Sequence, residues 1–220
     1  MTRIRTHLTV SLDGYIAGPN QSLEQPLGEG GLELHAWAFA TRSFRALHGL
    51  EGGVGGLDDE RAAAAHDGLA ATIMGRNMFG PVRGDWPDES WRGWWGERPP
   101  FGHPVFVLTH YPRAPLELEG GTSFHFVSGG LDEAVERALE VAAASGGDIA
   151  VAGGAQTVQQ ALAAGVVDDL ELHVVPLLLG SGSRLFERLD GGPHGFSCVE
   201  LASSPGVAHF RYARSGPAAG

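Results

Sequence analysis

Residues 148–187 constrain the fold more than any other part of this chain. An apolar run, Ile149–Ala152, is followed at once by the glycine pair Gly153–Gly154. Apolar residues four positions apart then predict a helix over Gln156–Ala164, and Gly165 stands where a left-handed helix cap is favoured. A second long apolar run follows and predicts another buried strand. This order of strand, glycine turn, helix and strand is typical of α/β domains.

The glycine pair admits two interpretations. Between a strand and a helix, glycines expose backbone N–H groups at the positive end of the helix dipole, where a phosphate group is stabilised. The same two glycines would equally form a tight turn with no ligand. The spacing of Gly153 and Gly154 does not decide between these interpretations.

The rest of the chain repeats the alternation of strands and helices. Alternating apolar and polar residues predict a first strand from Arg3 to Val10. We predict strands at about 71–74, 105–109 and 124–127, helices at about 32–48, 58–67 and from 131, and a final hairpin at about 196–202 and 207–214. This pattern predicts a layered α/β domain with a mostly parallel sheet and an antiparallel edge. We expect one domain over residues 1–215 and a loose tail over 216–220.

Composition excludes several classes of function. All 15 basic residues are arginine, so a Schiff-base lysine and a phosphate-loop lysine are both impossible. The formal net charge of −11 argues against a nucleic-acid partner. The sequence has no apolar run long enough to cross a membrane, and Cys198 is its single cysteine. Polar and apolar residues alternate over residues 1–10, so we expect no signal peptide there. We therefore expect a cytoplasmic protein that does not act at a membrane.

Four polar or glycine-rich segments follow predicted strands. Ligands of open parallel sheets bind beyond the carboxyl ends of the strands, so these segments should share one site. The segments are Gly75-Arg76-Asn77, Thr109-His110, Ser128-Gly129-Gly130 and Gly153-Gly154-Ala155-Gln156-Thr157. Together they would hold a long ligand with several phosphates, such as a dinucleotide. Arg76 would pair with a phosphate through its planar guanidinium, or would form a surface salt bridge.

Candidates for the chemistry are an aspartate and several aromatic residues. Asp13 follows the first strand and would orient a heterocycle or transfer a proton, unless it only forms a turn with Gly14. The candidate substrate contacts are Trp37, Phe79 and Trp86, although Trp37 also fits a core position. The tryptophan-rich loop at 81–103 could wall a pocket, fill a second core or form a dimer interface. The ten histidines lack the spacing of metal ligands, so we expect no metal site.

Six motifs together resemble the dihydrofolate-reductase-like family. They are SLDGYIAGPN, IMGRNMFGP, PVFVLTH, GGTSFHFVSGG, VAGGAQTVQQALAAG and VDDLELHVVPLLLGSGSRLF. More narrowly, the chain resembles a stand-alone version of the reductase domain of the bifunctional riboflavin-biosynthesis deaminase-reductase. The resemblance implies a three-layer αβα domain that binds NADPH and transfers hydride to a small flat heterocycle, pterin-like or pyrimidine-like, or to a carbonyl compound. It also favours a homodimer.

The resemblance assigns roles to particular positions. Asp13 matches the loop aspartate of the riboflavin-pathway reductases. The expected NADPH contacts are Ala17, Gly18, Gly75, Arg76, Asn77, Thr109, His110, Ser128, Gly153, Gly154, Ala155, Gln156 and Thr157. Ala152 departs from the pattern, because those reductases carry glutamate before the glycine pair. We therefore expect a different substrate from theirs. The alternative functions are a non-catalytic NADP(H)-binding protein and a relative that uses flavin or deazaflavin.

Overall fold

The computed structural model describes residues 1–80, 84–189 and 195–215. The strands are β1 Ile4–Ser11, β2 Tyr15–Ala17, β3 Leu69–Gly75, β4 Pro104–Leu108, β5 Leu116–Glu117, β6 Ser123–Val127, β7 Asp148–Gly153, β8 Asp169–Val175, β9 Ser183–Arg184, β10 Phe196–Ser204 and β11 Val207–Arg214. The α-helices are α1 Ala36–Phe39, α2 Arg42–Leu47, α3 Leu57–Ala64, α4 Arg76–Phe79, α5 Leu131–Ser145 and α6 Ala155–Ala163. Short 3₁₀ helices cover Gly31–His35 and Glu119–Gly121.

Nine of these strands form one sheet in the order β10-β11-β8-β1-β7-β3-β4-β6-β5. The six strands from β8 to β6 run parallel, while β11, β10 and β5 each pair antiparallel with their neighbours. This arrangement confirms the prediction of a mostly parallel sheet that ends in an antiparallel hairpin. β2 and β9 form a separate two-stranded ribbon beside it.

Side chains on β1 alternate between two layers, as the period of a strand requires. Ile4, Leu8 and Val10 pack into the main apolar core, which also contains residues of α5 and α6. His7 and Thr9 point to the opposite face, where Trp37 of α1 donates a hydrogen bond to the Thr9 hydroxyl. The sheet therefore lies between two helical layers, which confirms the αβα architecture. Of the described helices, none is long and apolar enough to cross a membrane.

Two predicted elements differ from the structure. The helix expected at 32–48 is divided into a 3₁₀ turn, α1 and α2, because Thr41 takes an extended conformation with ψ 153°. The Thr41 hydroxyl accepts a 3.2 Å hydrogen bond from the Phe44 amide and so caps α2. The long apolar run after 167 is only partly a strand: β8 ends at Val175 and Pro176 follows. The expected tail at 216–220 lies outside the described residues.

Candidate active site

The four segments singled out in the sequence lie side by side at the carboxyl edge of the sheet. β7, β3, β4 and β6 are consecutive neighbours, and each is followed by one of these segments. Residues that are far apart in the chain are thereby brought to one edge. Their order along the edge is Gly153–Thr157, then Gly75–Asn77, then Thr109–His110, then Ser128. A ligand that extended along this edge would pass all four segments in that order.

The glycine turn at Gly153 and Gly154 is shaped for close approach. Gly153 has φ +146°, a conformation that residues with a Cβ rarely adopt, so glycine is required there. Gly154 precedes α6, and a Cβ built on it would meet no atom within 4 Å. The first turn of α6 contains no acidic residue, so its free amides and its dipole favour an anion. These features fit a phosphate-bearing ligand.

Position 75 requires glycine because the end of β3 lies so close to α6 that a side chain would collide with it. A Cβ on Gly75 would lie 2.7 Å from the Thr157 hydroxyl oxygen. Thr157 is itself buried, so its side chain braces the two neighbouring turns. Gln156 beside it is exposed at the start of α6. The structure therefore places Gly75 and Thr157 in the framework of the turn, with Gln156 on its surface.

Arg76 lies flat on aromatic rings at the start of α4. Its guanidinium carbon is 3.8 Å from the centroid of the Trp86 ring and 5.0 Å from that of Tyr111. Trp86 is fixed in turn, because its indole N–H donates a 3.0 Å hydrogen bond to the Tyr111 carbonyl. Stacking of this kind holds a guanidinium in place while it keeps its charge. Asn77, the next residue, is exposed and borders the cavity described below.

Phe79 and Trp86 pack in a second apolar core next to Arg76. The Phe79 side chain is fully buried and packs edge-to-face on Phe124 and Phe126, with ring centroids 5.0 and 5.1 Å apart. Trp86 packs edge-to-face on Phe79 and Phe126. Neither residue lines the cavity, so the structure places these two candidate substrate contacts in a second apolar core.

Thr109, His110 and Ser128 occupy the far end of the edge. The Thr109 hydroxyl is buried and accepts a 3.1 Å hydrogen bond from the Tyr111 amide, which stabilises the local turn. His110 and Ser128 are exposed at the ends of β4 and β6. These two side chains remain accessible to a ligand that extends along the edge.

A cavity of about 920 Å³ lies against the face of β8, β1, β7 and β3. Its opposite wall comes from the 21–48 segment and from residues 62–69. Six of the residues singled out in the sequence line it: Ala17, Trp37, Asn77, Gly153, Gly154 and Ala155. Trp94 and Trp95 of the tryptophan-rich loop line it as well, so this loop contributes both to a pocket wall and to the second core. The cavity and the glycine turn are therefore continuous.

The histidines of this cavity were not among the candidate residues that the sequence indicated. Its wall includes His7, His35, His48, His66 and His173, which are scattered along the chain. Burial lowers the pKa of His7 to about 3, of His35 to about 4 and of His173 to about 2. These three imidazoles are therefore neutral at physiological pH. One sequence pattern could have indicated them. Side chains two residues apart on a strand share a face, so His7 lies with Thr9 on β1, and Glu171 lies with His173 on the adjacent strand β8.

A chain of hydrogen bonds connects this wall to α3. The Nδ1 atoms of His173 and His209 are 2.8 Å apart, and His209 Nε2 is 3.0 Å from Asp58 Oδ1. An ionised carboxylate only accepts, so the Asp58 contact makes His209 Nε2 the donor. Trp37 packs on both imidazoles, with centroid distances of 4.6 and 5.2 Å. Trp37 thus combines a core position with a place in the cavity wall.

Asp13 lies outside the cavity lining and holds a loop. Its Oδ1 accepts hydrogen bonds from the Ser11 hydroxyl at 2.6 Å and the Leu179 amide at 3.1 Å, and Oδ2 accepts one from the Gly180 amide at 2.7 Å. The Ser11 bond and the two amides lower the pKa of Asp13 to about 2. The Asp13 carboxylate thus joins the loop after β1 to the loop after β8.

Ala17 and Gly18 differ in their relation to the cavity. Ala17 is buried in β2 and lines it. A Cβ on Gly18 would lie 1.9 Å from the Glu29 carbonyl oxygen, so glycine is required by packing at this position. Gly18 does not line the cavity and instead allows the 19–30 loop to fold over β2.

Most of the chain matches one protein family. Residues 2–191 match the model of the RibD C-terminal domain. The chain belongs to this family. Membership confirms the resemblance to a stand-alone reductase domain of the riboflavin-biosynthesis deaminase-reductase, and it supports an oxidoreductase with a small-molecule substrate. No protein with a curated description matches the chain.

Solved structures share the fold of this RibD C-terminal domain protein. A crystal structure of a candidate riboflavin biosynthesis protein from Shewanella sp. PV-4 has a TM-score of 0.56 and 22% identity, over 98% of this chain and 100% of that chain. A pyrimidine reductase-like protein from Corynebacterium diphtheriae has a TM-score of 0.52 and 16% identity, over 98% of this chain and 93% of that chain. At these identities the comparison establishes the dihydrofolate-reductase-like fold.

Proposed function

We propose that this protein is an NADPH-dependent reductase of a small, flat heterocyclic or carbonyl substrate. The observation that carries the proposal is the continuity between the Gly153–Gly154 turn and the cavity beside it. The turn offers a place for phosphate groups, and the cavity, at about 920 Å³, has the volume of a site for small ligands. Membership of the RibD C-terminal domain family supports the same assignment.

The residues at the sheet edge fit a nicotinamide dinucleotide. Open space above Gly154 would let the ligand backbone approach α6, and the amides of Ala155 and Gln156 would contact its pyrophosphate. Arg76, which is already stacked on Trp86, would pair with a further phosphate. His110 and Ser128 would lie along the adenosine end, while Ala17 would border the nicotinamide. When bound, NADPH would supply the hydride.

The cavity residues would orient the substrate and keep water out. Trp37 presents an aromatic ring whose position is fixed by the 3.1 Å hydrogen bond from its indole N–H to the Thr9 hydroxyl. Neutral imidazoles on the wall would exchange hydrogen bonds with a polar heterocycle without adding charge. Holding NADPH and the substrate in the correct relative orientation would itself accelerate hydride transfer, so little further chemistry would be needed from the protein.

The residue before the glycine pair bears on substrate choice. Ala152 lines the cavity and has no carboxylate to offer a substrate. We therefore propose a substrate other than the phosphorylated ribosyl-pyrimidine of riboflavin synthesis. Efficient reduction of that compound would contradict the substrate assignment and leave the cofactor assignment intact.

Activity screening tests the reductase proposal. Purified protein and NADPH are mixed with a panel of pterins, pyrimidines and small carbonyl compounds, and loss of the reduced-nicotinamide absorbance is followed. We expect steady oxidation with at least one of them. NADPH binding without turnover across the panel would favour the non-catalytic alternative. A flavin or deazaflavin absorbance in the isolated protein would favour the third alternative.

Gly154→Ala separates binding from folding. The new methyl group would meet no protein atom, so we expect an unchanged melting temperature. It would occupy the space that the dinucleotide needs, so we expect NADPH to bind about tenfold or more weakly, which is about 1.4 kcal/mol. Gly206→Ala is the matched control, since a Cβ there also meets no protein atom and lies in the β10–β11 turn. Unchanged NADPH affinity in Gly154→Ala would refute the proposed position of the cofactor.

We also propose that the protein is a cytoplasmic homodimer. Leu178 is 73% exposed after β8, and Leu201 is 62% exposed on the edge strand β10. Exposed apolar side chains on a sheet edge favour association with a second copy. Light scattering at micromolar concentration should give about twice the chain mass of 23.1 kDa. A monomer mass would contradict this proposal.

A further inference from the structure

We propose that His7, Glu171 and His173 form a binding site for one divalent transition-metal ion, such as Zn²⁺, in the wall of the cavity. This inference goes beyond the reductase activity and does not depend on it. It also differs from the expectation drawn from the sequence, because the ligands come from two adjacent strands and their spacing along the chain gives no motif.

The register of β1 and β8 brings the three side chains together. His7 is paired with Glu171 across the parallel ladder, and His173 follows Glu171 by two residues on the same face. One ligand atom from each residue lies within 4.8 Å of the others, and His7 Nδ1 is 3.5 Å from Glu171 Oε2. Two imidazoles and one carboxylate form a common ligand set of catalytic zinc sites that keep one coordination position open.

The Glu171 carboxylate is buried and incompletely hydrogen-bonded. Glu171 is 3% exposed, and its Oε1 makes no hydrogen bond among the described residues. His7 Nδ1 is also buried and has no hydrogen-bond partner in the same part of the structure. His173 beside it is also buried, at 3% exposure. A buried carboxylate needs a cation or a proton, and neutral imidazoles beside it provide the lone pairs that a metal ion requires.

Hydrogen bonds behind His173 fix its tautomer. Asp58 accepts from His209 Nε2, so in the neutral ring His209 Nδ1 is an acceptor. His209 Nδ1 then accepts from His173 Nδ1–H, which leaves the lone pair of His173 on Nε2. Histidines that bind metals typically donate their other N–H to a carboxylate, a backbone carbonyl or water. Here the acceptor is a second imidazole, which itself donates to the Asp58 carboxylate. Asp58 is itself held by the Ser204 hydroxyl at 2.9 Å, so the whole chain is anchored.

The surrounding arginines are engaged by other carboxylates. Arg61 lies 3.9 Å from Glu171 Oε1, but its guanidinium donates two hydrogen bonds to Glu200. Arg211 lies 3.6 Å from Glu200, and Arg5 lies 3.8 Å from Asp148. Oε2 of Glu171, on the side of His7, is left for the metal ion. His7 and His173 also line the cavity, so the open coordination position would face a bound ligand.

Metal titration tests this site directly. Protein treated with a chelator and then freed of it is titrated with Zn²⁺ by calorimetry, and with Co²⁺ while the visible spectrum is recorded. We expect one equivalent of Zn²⁺ and the intense visible bands of four-coordinate Co²⁺. Absence of saturable binding of either ion would overturn the proposal.

Variants locate the bound ion. Glu171→Gln and His173→Gln should each weaken Zn²⁺ binding by more than about 100-fold, and His209→Phe, which removes only the support of His173, by about 10- to 100-fold. Glu97→Gln is the control, because Glu97 pairs with Arg92 and contacts neither the three ligands nor the arginines beside them, and the Zn²⁺ affinity of this variant should equal that of the wild type. Circular dichroism reports whether each variant folds, and His7→Gln replaces any that does not. Binding that is unchanged in the ligand variants would place the ion elsewhere and overturn the proposal.

Discussion

The Asp13 carboxylate accepts a 2.7 Å hydrogen bond from the backbone amide of Gly180. With the bond from the Leu179 amide, it joins the loop after β1 to the loop after β8. The sequence suggested Asp13 as a catalytic residue, and its position now favours a role in holding these loops. Its contribution to stability should be present above the ordinary pKa of 3.8 and be lost as pH falls toward about 2, because the folded state binds the proton less readily.

Asp13→Asn should therefore lower the melting temperature and leave NADPH affinity within about twofold of wild type, below about 0.5 kcal/mol. An amide has only one accepting oxygen, so one of the two loop contacts is lost. Ser11→Ala, which removes the hydroxyl that donates to Asp13, should cause a smaller change of the same kind. If Asp13→Asn melts like the wild type and loses its reductase activity, the catalytic interpretation is correct.

Arg76→Ala should weaken NADPH binding by about 1.5–3 kcal/mol, the range for a hydrogen bond to a charged group. This corresponds to about 10- to 150-fold in the dissociation constant. Arg98→Ala serves as the control, because the Arg98 side chain is 83% exposed and pairs with Glu119. Equal affinities of the two variants in a calorimetric titration would remove Arg76 from the cofactor site.

Phe79→Ala should destabilise the fold by about 3–5 kcal/mol, as expected for a fully buried aromatic side chain. Leu50→Ala, at an exposed position after α2, should change the free energy of unfolding by less than about 0.5 kcal/mol. Denaturant unfolding measures both values. A Phe79→Ala protein of wild-type stability with impaired substrate binding would show instead that Phe79 contacts the substrate.

His103 should make stability depend on pH in the acidic range. Burial lowers its pKa to about 4, and its Nε2 is 2.8 Å from the buried Thr72 hydroxyl. The unfolded chain takes up a proton near pH 6.5, whereas the folded protein resists it until about pH 4. The free energy of unfolding should thus fall as pH is lowered through this window, by at most about 1.4 kcal/mol per pH unit.

Removing the His103 imidazole checks this assignment. His103→Gln should show a shallower loss of stability between pH 6.5 and pH 4 than the wild type does. His110→Gln, at an exposed position, should keep the wild-type slope. Identical slopes for the wild type and His103→Gln would show that His103 does not contribute.

The sequence predicted the fold and the sheet edge because both follow from local patterns. Parallel strands end at one edge, so glycines and hydroxyl groups after strands, such as Gly75 and Gly153, had to converge. The positions of Phe79 and Trp86 could not be predicted in the same way. Whether an aromatic residue packs inward or faces a ligand depends on its neighbours in space.

The histidine wall was missed for a related reason. His173 meets His209 and faces His7 only because β8 lies between β1 and β11, and this strand order is not visible in the spacing of residues. The break in the predicted helix at 32–48 has a local cause, since Thr41 caps α2. The apolar periodicity of the sequence continues through Thr41, so it predicted one unbroken helix.

Titration of the wild-type protein with NADPH, followed by calorimetry and repeated with NADH, tests whether the protein binds a nicotinamide dinucleotide. A reductase site at the Gly153–Gly154 turn predicts saturable binding of one NADPH per chain, with a dissociation constant of about 1 μM to 100 μM and weaker binding of NADH. Absence of saturable heat with either nucleotide would contradict a reductase site at this turn.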